Sequence, residues 1–210
     1  MLRTRRMTRE QRGAALVEMA IALPLLILLV FGILEFGIAF RDRLTVSSGT
    51  QSAGRVAAAL GSQDDADIAT LQAIEQSLGF LGDSSGDVVK HVQIWKSNGS
   101  GQPVTACSAP GAGGSNCNWY VYTPADPCKW TPCPAPPAVG SPSYGGGFIP
   151  SLRDVTLDDD GLTTIGVTVL FAHDWVTNVL PVSDVVCDEF GDNCWSDTAL
   201  FRLEPQNFGE

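Results

Sequence analysis

The residues able to do chemistry are few: six cysteines, two histidines, a run of three aspartates, and a glutamate alone inside an apolar stretch. The glutamate is the most specific. In Arg12-Gly13-Ala14-Ala15-Leu16-Val17-Glu18 a glycine ends a charged leader, apolar residues begin at once, and one carboxylate follows five positions on. Glu18 would stand about 6 Å along a helix from Ala14, inside the apolar zone, where a charge asks for a partner. A cut after Gly13 would give Ala14 a free amine at the membrane face, which Glu18 of a neighbouring subunit could meet. A carboxylate that merely snorkels to the headgroups has the same local geometry.

The cysteines, Cys107, Cys117, Cys128, Cys133, Cys187 and Cys194, form an even set in the second half of the chain. In an oxidising compartment they read as disulfides with fifteen possible connectivities. The pairing of sequence neighbours, Cys107–Cys117, Cys128–Cys133 and Cys187–Cys194, closes the smallest loops. Zinc held by the first four is the competing reading, and their intervals lack a tight C-x-x-C pair. His91 and His173 are far apart in sequence, and neither belongs to a Ser-His-Asp order, an H-E-x-x-H, a phosphate loop or a dinucleotide fingerprint. Asp158-Asp159-Asp160-Gly161 lacks the alternating ligand spacing and distal glutamate of an EF-hand and reads as a solvated turn. No enzyme and no cofactor is expected.

These groups sit on a strongly segmented chain of 210 residues with a net charge of −10. Up to Gly13, five arginines against one glutamate give +4; from Leu44 onward, six basic residues against nineteen acidic ones give −13. An acidic body of this size argues against nucleic acid as a partner, which needs clustered Lys and Arg. Between Gly13 and Arg41 the only ionisable residues are Glu18 and Glu35. These 27 residues would form a helix of about 40 Å, enough to cross a hydrocarbon core of about 30 Å with tilt. Pro24 and Gly32 are tolerated in such helices. Gly37 and Ala39 have the spacing of a signal-peptide cleavage site. The run exceeds a signal core, however, Glu35 falls where that core should be most apolar, and Arg41 would follow the cut almost at once, so a retained span is expected. The positive-inside rule puts the Arg-rich leader in the cytoplasm and everything beyond Arg43 outside it.

The expected organisation is a basic leader (1–13), a transmembrane helix (14–40), its outward continuation (41–60) and an extracytoplasmic domain (61–210) with an insertion at 97–150. In the continuation, Leu44, Ala53, Val56, Ala57 and Leu60 can share a face. Asp64-Asp65 offers an N-cap for a short helix to about Leu81, with Ile68, Leu71, Ile74 and Leu78 as its stripe and Gly79 and Gly82 at its end. Strands are expected at Asp87–Lys96, with Val88, Val92 and Ile94 on one side and Val89 and Trp95 on the other, and at Asn118–Thr123, Thr163–Phe171 and Thr198–Leu203. The insertion holds nine glycines, ten prolines and four cysteines in 54 residues. It reads as an ordered, disulfide-pinned lobe whose aromatics, Trp119, Tyr120, Tyr122, Trp130 and Tyr144, either close the lobe or form a contact surface. The fold class is α+β: a long N-terminal helix packed on a small antiparallel sheet.

The string GAALVEMAIALPLLILLVFGILEFG resembles the TadE-like pseudopilins of tight-adherence (Flp-type) pilus systems. It shares their Val-Glu pair, the proline in Ala-Leu-Pro-Leu (Pro24) and Glu35-Phe36-Gly37, while Met19 stands where the family usually has an aromatic residue. Gly13-Ala-Ala-Leu-Val-Glu18 also matches the type IV prepilin signature of a glycine, four residues and a glutamate. The resemblance covers about Arg12–Leu60. It implies that prepilin peptidase cuts after Gly13, that Ala14 becomes the mature N-terminus, and that Glu18 serves assembly. The implied partners are prepilin peptidase, other pilins and pseudopilins, the inner-membrane assembly machinery and the lipid bilayer. The different-class alternative is a membrane-anchored binding module using its disulfide-rich lobe; an anchored hydrolase built around His173 is a weaker third.

Overall fold

The computed structural model describes residues 9–79, 88–107, 114–134, 144–156, 162–176, 187 and 193–205, with side chains from Gly13 onward. Met1–Thr8, Leu81, Gly82, Asp87 and Asp158–Gly161 therefore lie outside the described residues. Two compact units emerge: the first is the N-terminal helix up to Phe40 with Trp175 and Val176, and the second holds the remaining described chain.

Helix α1 runs over Arg9–Leu60 and so begins inside the basic leader. No described residue from Gly13 to Leu34 is buried, although the stretch is almost wholly apolar; its most apolar window has a mean hydropathy of 2.6. Pro24 is accommodated within it. Buried positions start at Glu35 and recur at Ala39, Asp42, Val46, Thr50, Ala53 and Ala57, at helical spacing. The face expected from sequence is thus rotated. Ala53 and Ala57 belong to it, but Leu44 is exposed, and Val46 with Thr50 takes the inward direction. Thr50 manages burial by donating its hydroxyl to the carbonyl of Val46 (2.9 Å).

In the second unit, α2 (Ala66–Leu78) follows Asp65, which occupies the N-cap without a side-chain cap bond. Leu71, Ile74 and Leu78 are buried as their spacing requires and Ile68 is half-buried, while the expected end at Leu81 lies outside the described residues. Five antiparallel strands follow: β1 (Val89–Lys96), β2 (Cys117–Tyr122), β3 (Trp130–Thr131), β4 (Thr164–Phe171) and β5 (Trp195–Arg202), in the spatial order β3-β2-β1-β4-β5. Ile165, Val167, Val169 and Phe171 of β4 alternate into one core cluster with Val46, Ala53 and Ala57 of α1 and the α2 stripe. On β1 a register shift between Val89 and His91 breaks the alternation. Val89 consequently joins Val92 and Ile94 in the core instead of facing away with Trp95.

Two glycines permit close approach. Trp95 and Gly166 are paired across β1 and β4, and a Cβ on Gly166 would enter the Trp95 ring. A Cβ on Gly54 of α1 would likewise enter the ring of Phe201 on β5. Both lie in the interior of regular elements, where glycine otherwise costs stability.

Described residues of the segment 97–150 take part in the sheet. The segment supplies β2, hydrogen-bonded between β3 and β1, and β3, whose two residues were too few to see in a Gly/Pro-rich stretch. Disulfides join Cys107 to Cys117, Cys128 to Cys133 and Cys187 to Cys194. The four cysteines of the zinc alternative are therefore consumed in cystines, two of which brace β2 and β3. Trp119, Tyr120 and Trp130 are buried, which fits the reading in which these aromatics close the segment rather than form a contact surface.

Candidate processing and assembly site

Gly13, Ala14 and Glu18 lie on the exposed first half of α1. Among the described residues nothing stands within 4 Å of the place a Gly13 side chain would occupy, so this glycine answers no packing demand of theirs. Its helical position is nevertheless weak, because glycine opposes helix by about 1 kcal/mol relative to alanine. A peptide that must unwind to enter an enzyme's cleft is helped by that weakness. Ala14 and Glu18 are four residues apart and so share one helix face. The helix therefore presents Gly13, Ala14 and Glu18 together along one exposed, mostly apolar stretch.

At the other end of the apolar stretch, Glu35 is only 1 % exposed. Its Oε2 accepts the backbone N–H of Val176 (3.0 Å), and the neighbouring Phe36 meets Trp175 edge-on with ring centroids 5.7 Å apart. This pairing bridges 141 positions of sequence, and only the isolation of Glu35 in an apolar run hinted that it needed a partner.

In the second unit, the Asp42 carboxylate lies 3.0 Å from Nη2 of Arg41 and 3.2 Å from Nδ1 of His173. His173 is buried and stacks parallel on Trp195 at 5.6 Å. The ring that a hydrolase would need as a base is thus packed into the joint between α1 and the end of β4. His91 is also buried, edge-on to Trp119. Among the described residues no three His, Cys, Asp or Glu side chains converge as a metal site would require.

A buried polar cluster that sequence reasoning missed fastens the 144–153 segment to α2. Asp67 Oδ1 pairs with Nη2 of Arg153 at 2.6 Å, both side chains fully enclosed, while its Oδ2 accepts from Tyr120 Oη (2.6 Å) and Asn118 Nδ2 (2.8 Å). The Phe148 carbonyl accepts from both Arg153 and Asn118, and the Phe148 ring lies under the guanidinium at 4.5 Å. Burial first, then the Asp67 charge, pushes the Tyr120 hydroxyl well above the ordinary tyrosine value. The available signal was Arg153 itself, the only basic residue between Lys129 and Arg202. Nearby, Glu75 of α2 accepts from Trp130 Nε1 (2.6 Å) and pairs with Lys129 (3.1 Å), tying β3 to the same helix.

The fold combines a long N-terminal helix, unburied from Gly13 to Leu34 among the described residues, with a small α+β domain built on an antiparallel sheet. Residues 13–55 match the family described as TadE-like protein. The match lies entirely within α1, roughly a fifth of the chain, and includes Gly13, Ala14, Glu18, Pro24 and Glu35. No curated protein and no solved structure matches the chain. The TadE-like match suggests a tight-adherence-pilus-associated protein, and the one long apolar helix among the described residues suggests a single-pass membrane protein.

Proposed function

We propose that the chain is a minor pseudopilin that acts in biogenesis of a tight-adherence pilus after prepilin peptidase removes residues 1–13. Its leader lies in the cytoplasm, residues 14–40 cross the inner membrane, and the disulfide-bearing body stands outside, either held there or carried into a surface pilus. The observation that carries this reading is the helix: 22 consecutive residues, Gly13–Leu34, without one buried position, beginning with the processing signature. So much uncovered apolar surface is stable only in lipid or against like helices. Glu18 serves assembly by meeting the Ala14 amine of a neighbouring subunit, and other pilins, pseudopilins and the membrane assembly machinery are the partners. The binding-module alternative loses its main support, because Trp119, Tyr120 and Trp130 are interior.

Orientation has a direct test. A periplasmic reporter fused after Glu210 should be active and a cytoplasmic reporter at the same place inactive, as the leader's +4 charge requires. The opposite pair of results would invert the proposed topology.

A further inference from the structure

We infer that Val176, backed by the buried Trp175, forms a second lipid contact, an interfacial wedge locked by Glu35 beside the point where α1 leaves the membrane. The inference rests on the membrane-spanning reading above. Counting 1.5 Å per residue from Ala14, Glu35 lies about 32 Å along α1, at the far boundary of a hydrocarbon core of about 30 Å.

At that level the chain returns to the helix. Trp175 and Val176 cluster with the apolar half of α1, not with the sheet body that precedes them in sequence. Val176 is 67 % exposed, and Phe36 and Phe40, one turn apart on α1, are 59 % and 63 % exposed. Trp175 is only 8 % exposed and packs edge-on against Phe36, so it backs this surface rather than facing outward. Two exposed phenyl rings and a valine, backed by an indole and continuous with an exposed apolar helix, match the composition of a membrane interface, where aromatic side chains concentrate. The occupant this surface fits is the boundary between headgroups and acyl chains of the outer leaflet.

Glu35 makes the contact physically tolerable. A non-helical backbone near hydrocarbon must have its polar groups satisfied, and the Val176 N–H is satisfied by the Glu35 carboxylate at 3.0 Å. The carboxylate in turn is shielded and hydrogen-bonded, which offsets part of its own desolvation. Glu35 is a positioning residue here: it fixes the turn against the helix and so fixes how deeply the helix sits.

Photocrosslinking in native membranes tests this. A benzophenone side chain is placed at Val176, at Leu26 in the middle of the span, and at Leu152, an exposed leucine of the other unit that measures background labelling. Phospholipid adducts at positions 26 and 176, each several-fold above position 152, are expected. Adducts at 26 without adducts at 176 would overturn the wedge and leave the membrane span standing. Adducts at neither would remove the span and the wedge together. Glu35→Ala should lower the adduct yield at 176 several-fold without changing that at 26; an undiminished yield would overturn the role given to Glu35.

Discussion

Arg153→Met is expected to lower the stability of the folded body by about 3–5 kcal/mol, the usual consequence of leaving one member of a buried ion pair alone. Both partners are enclosed, so the charge left on Asp67 cannot turn to solvent. Two neutral donors, Tyr120 and Asn118, remain on the carboxylate. They soften the loss without replacing a cation. Typical domains are stable by only 5–15 kcal/mol, so such a change is plain in a urea melt of the full-length protein in detergent. A loss below 1 kcal/mol would show that the cluster does not hold the body together. The same cluster predicts an alkaline limit. Tyr120 binds its proton more tightly folded than unfolded. Its contribution is complete below the unfolded tyrosine value, about 10, and is lost as pH rises toward the folded one. The tyrosinate absorbance of Tyr120 should therefore appear only together with unfolding.

Glu18→Ala is expected to abolish pili while leaving the protein in the membrane at normal levels. The carboxylate is exposed on α1 one turn beyond Ala14, so removing it disturbs no contact of the described fold. A charge at the bilayer centre costs roughly 3 kcal/mol and less toward the edge, so insertion alone should be easier for the alanine variant. Loss of function despite easier insertion would separate assembly from stability. Full piliation by the variant would mean that Glu18 only reaches the headgroups. Immunoblots of membranes and of sheared surface fractions provide both measurements.

Where structure follows from local rules, the sequence was readable. The apolar span, the β4 alternation and the α2 stripe each depend on side-chain periodicity within a single element. The misses are non-local. Leu44 is as apolar as Val46, and only the position of the sheet decides which one points inward. Val89 changed sides because of a bulge that no residue type announces. β3 lay hidden in a Gly/Pro-rich stretch because its pairing with β2 defines its two residues more than their composition does, whereas β2 was legible at Asn118–Thr123. The same holds for the sites. Gly13, Ala14 and Glu18 are contiguous and visible as a motif, whereas Asp67 with Arg153, Asp42 with His173 and Glu35 with Val176 are joined only by folding.

The central claim concerns the chain's own N-terminus, and the mass of the N-terminal peptide of the membrane-purified protein tests it most directly. In cells with active prepilin peptidase that peptide should begin at Ala14, and in cells without the enzyme residues 1–13 should remain. Gly13→Leu should keep the leader even when the peptidase is present, since the open surroundings of Gly13 let the folded chain accept leucine while the enzyme's narrow cleft does not. A wild-type protein that retains its leader in the presence of an active peptidase, or begins at any residue other than Ala14, would contradict the account.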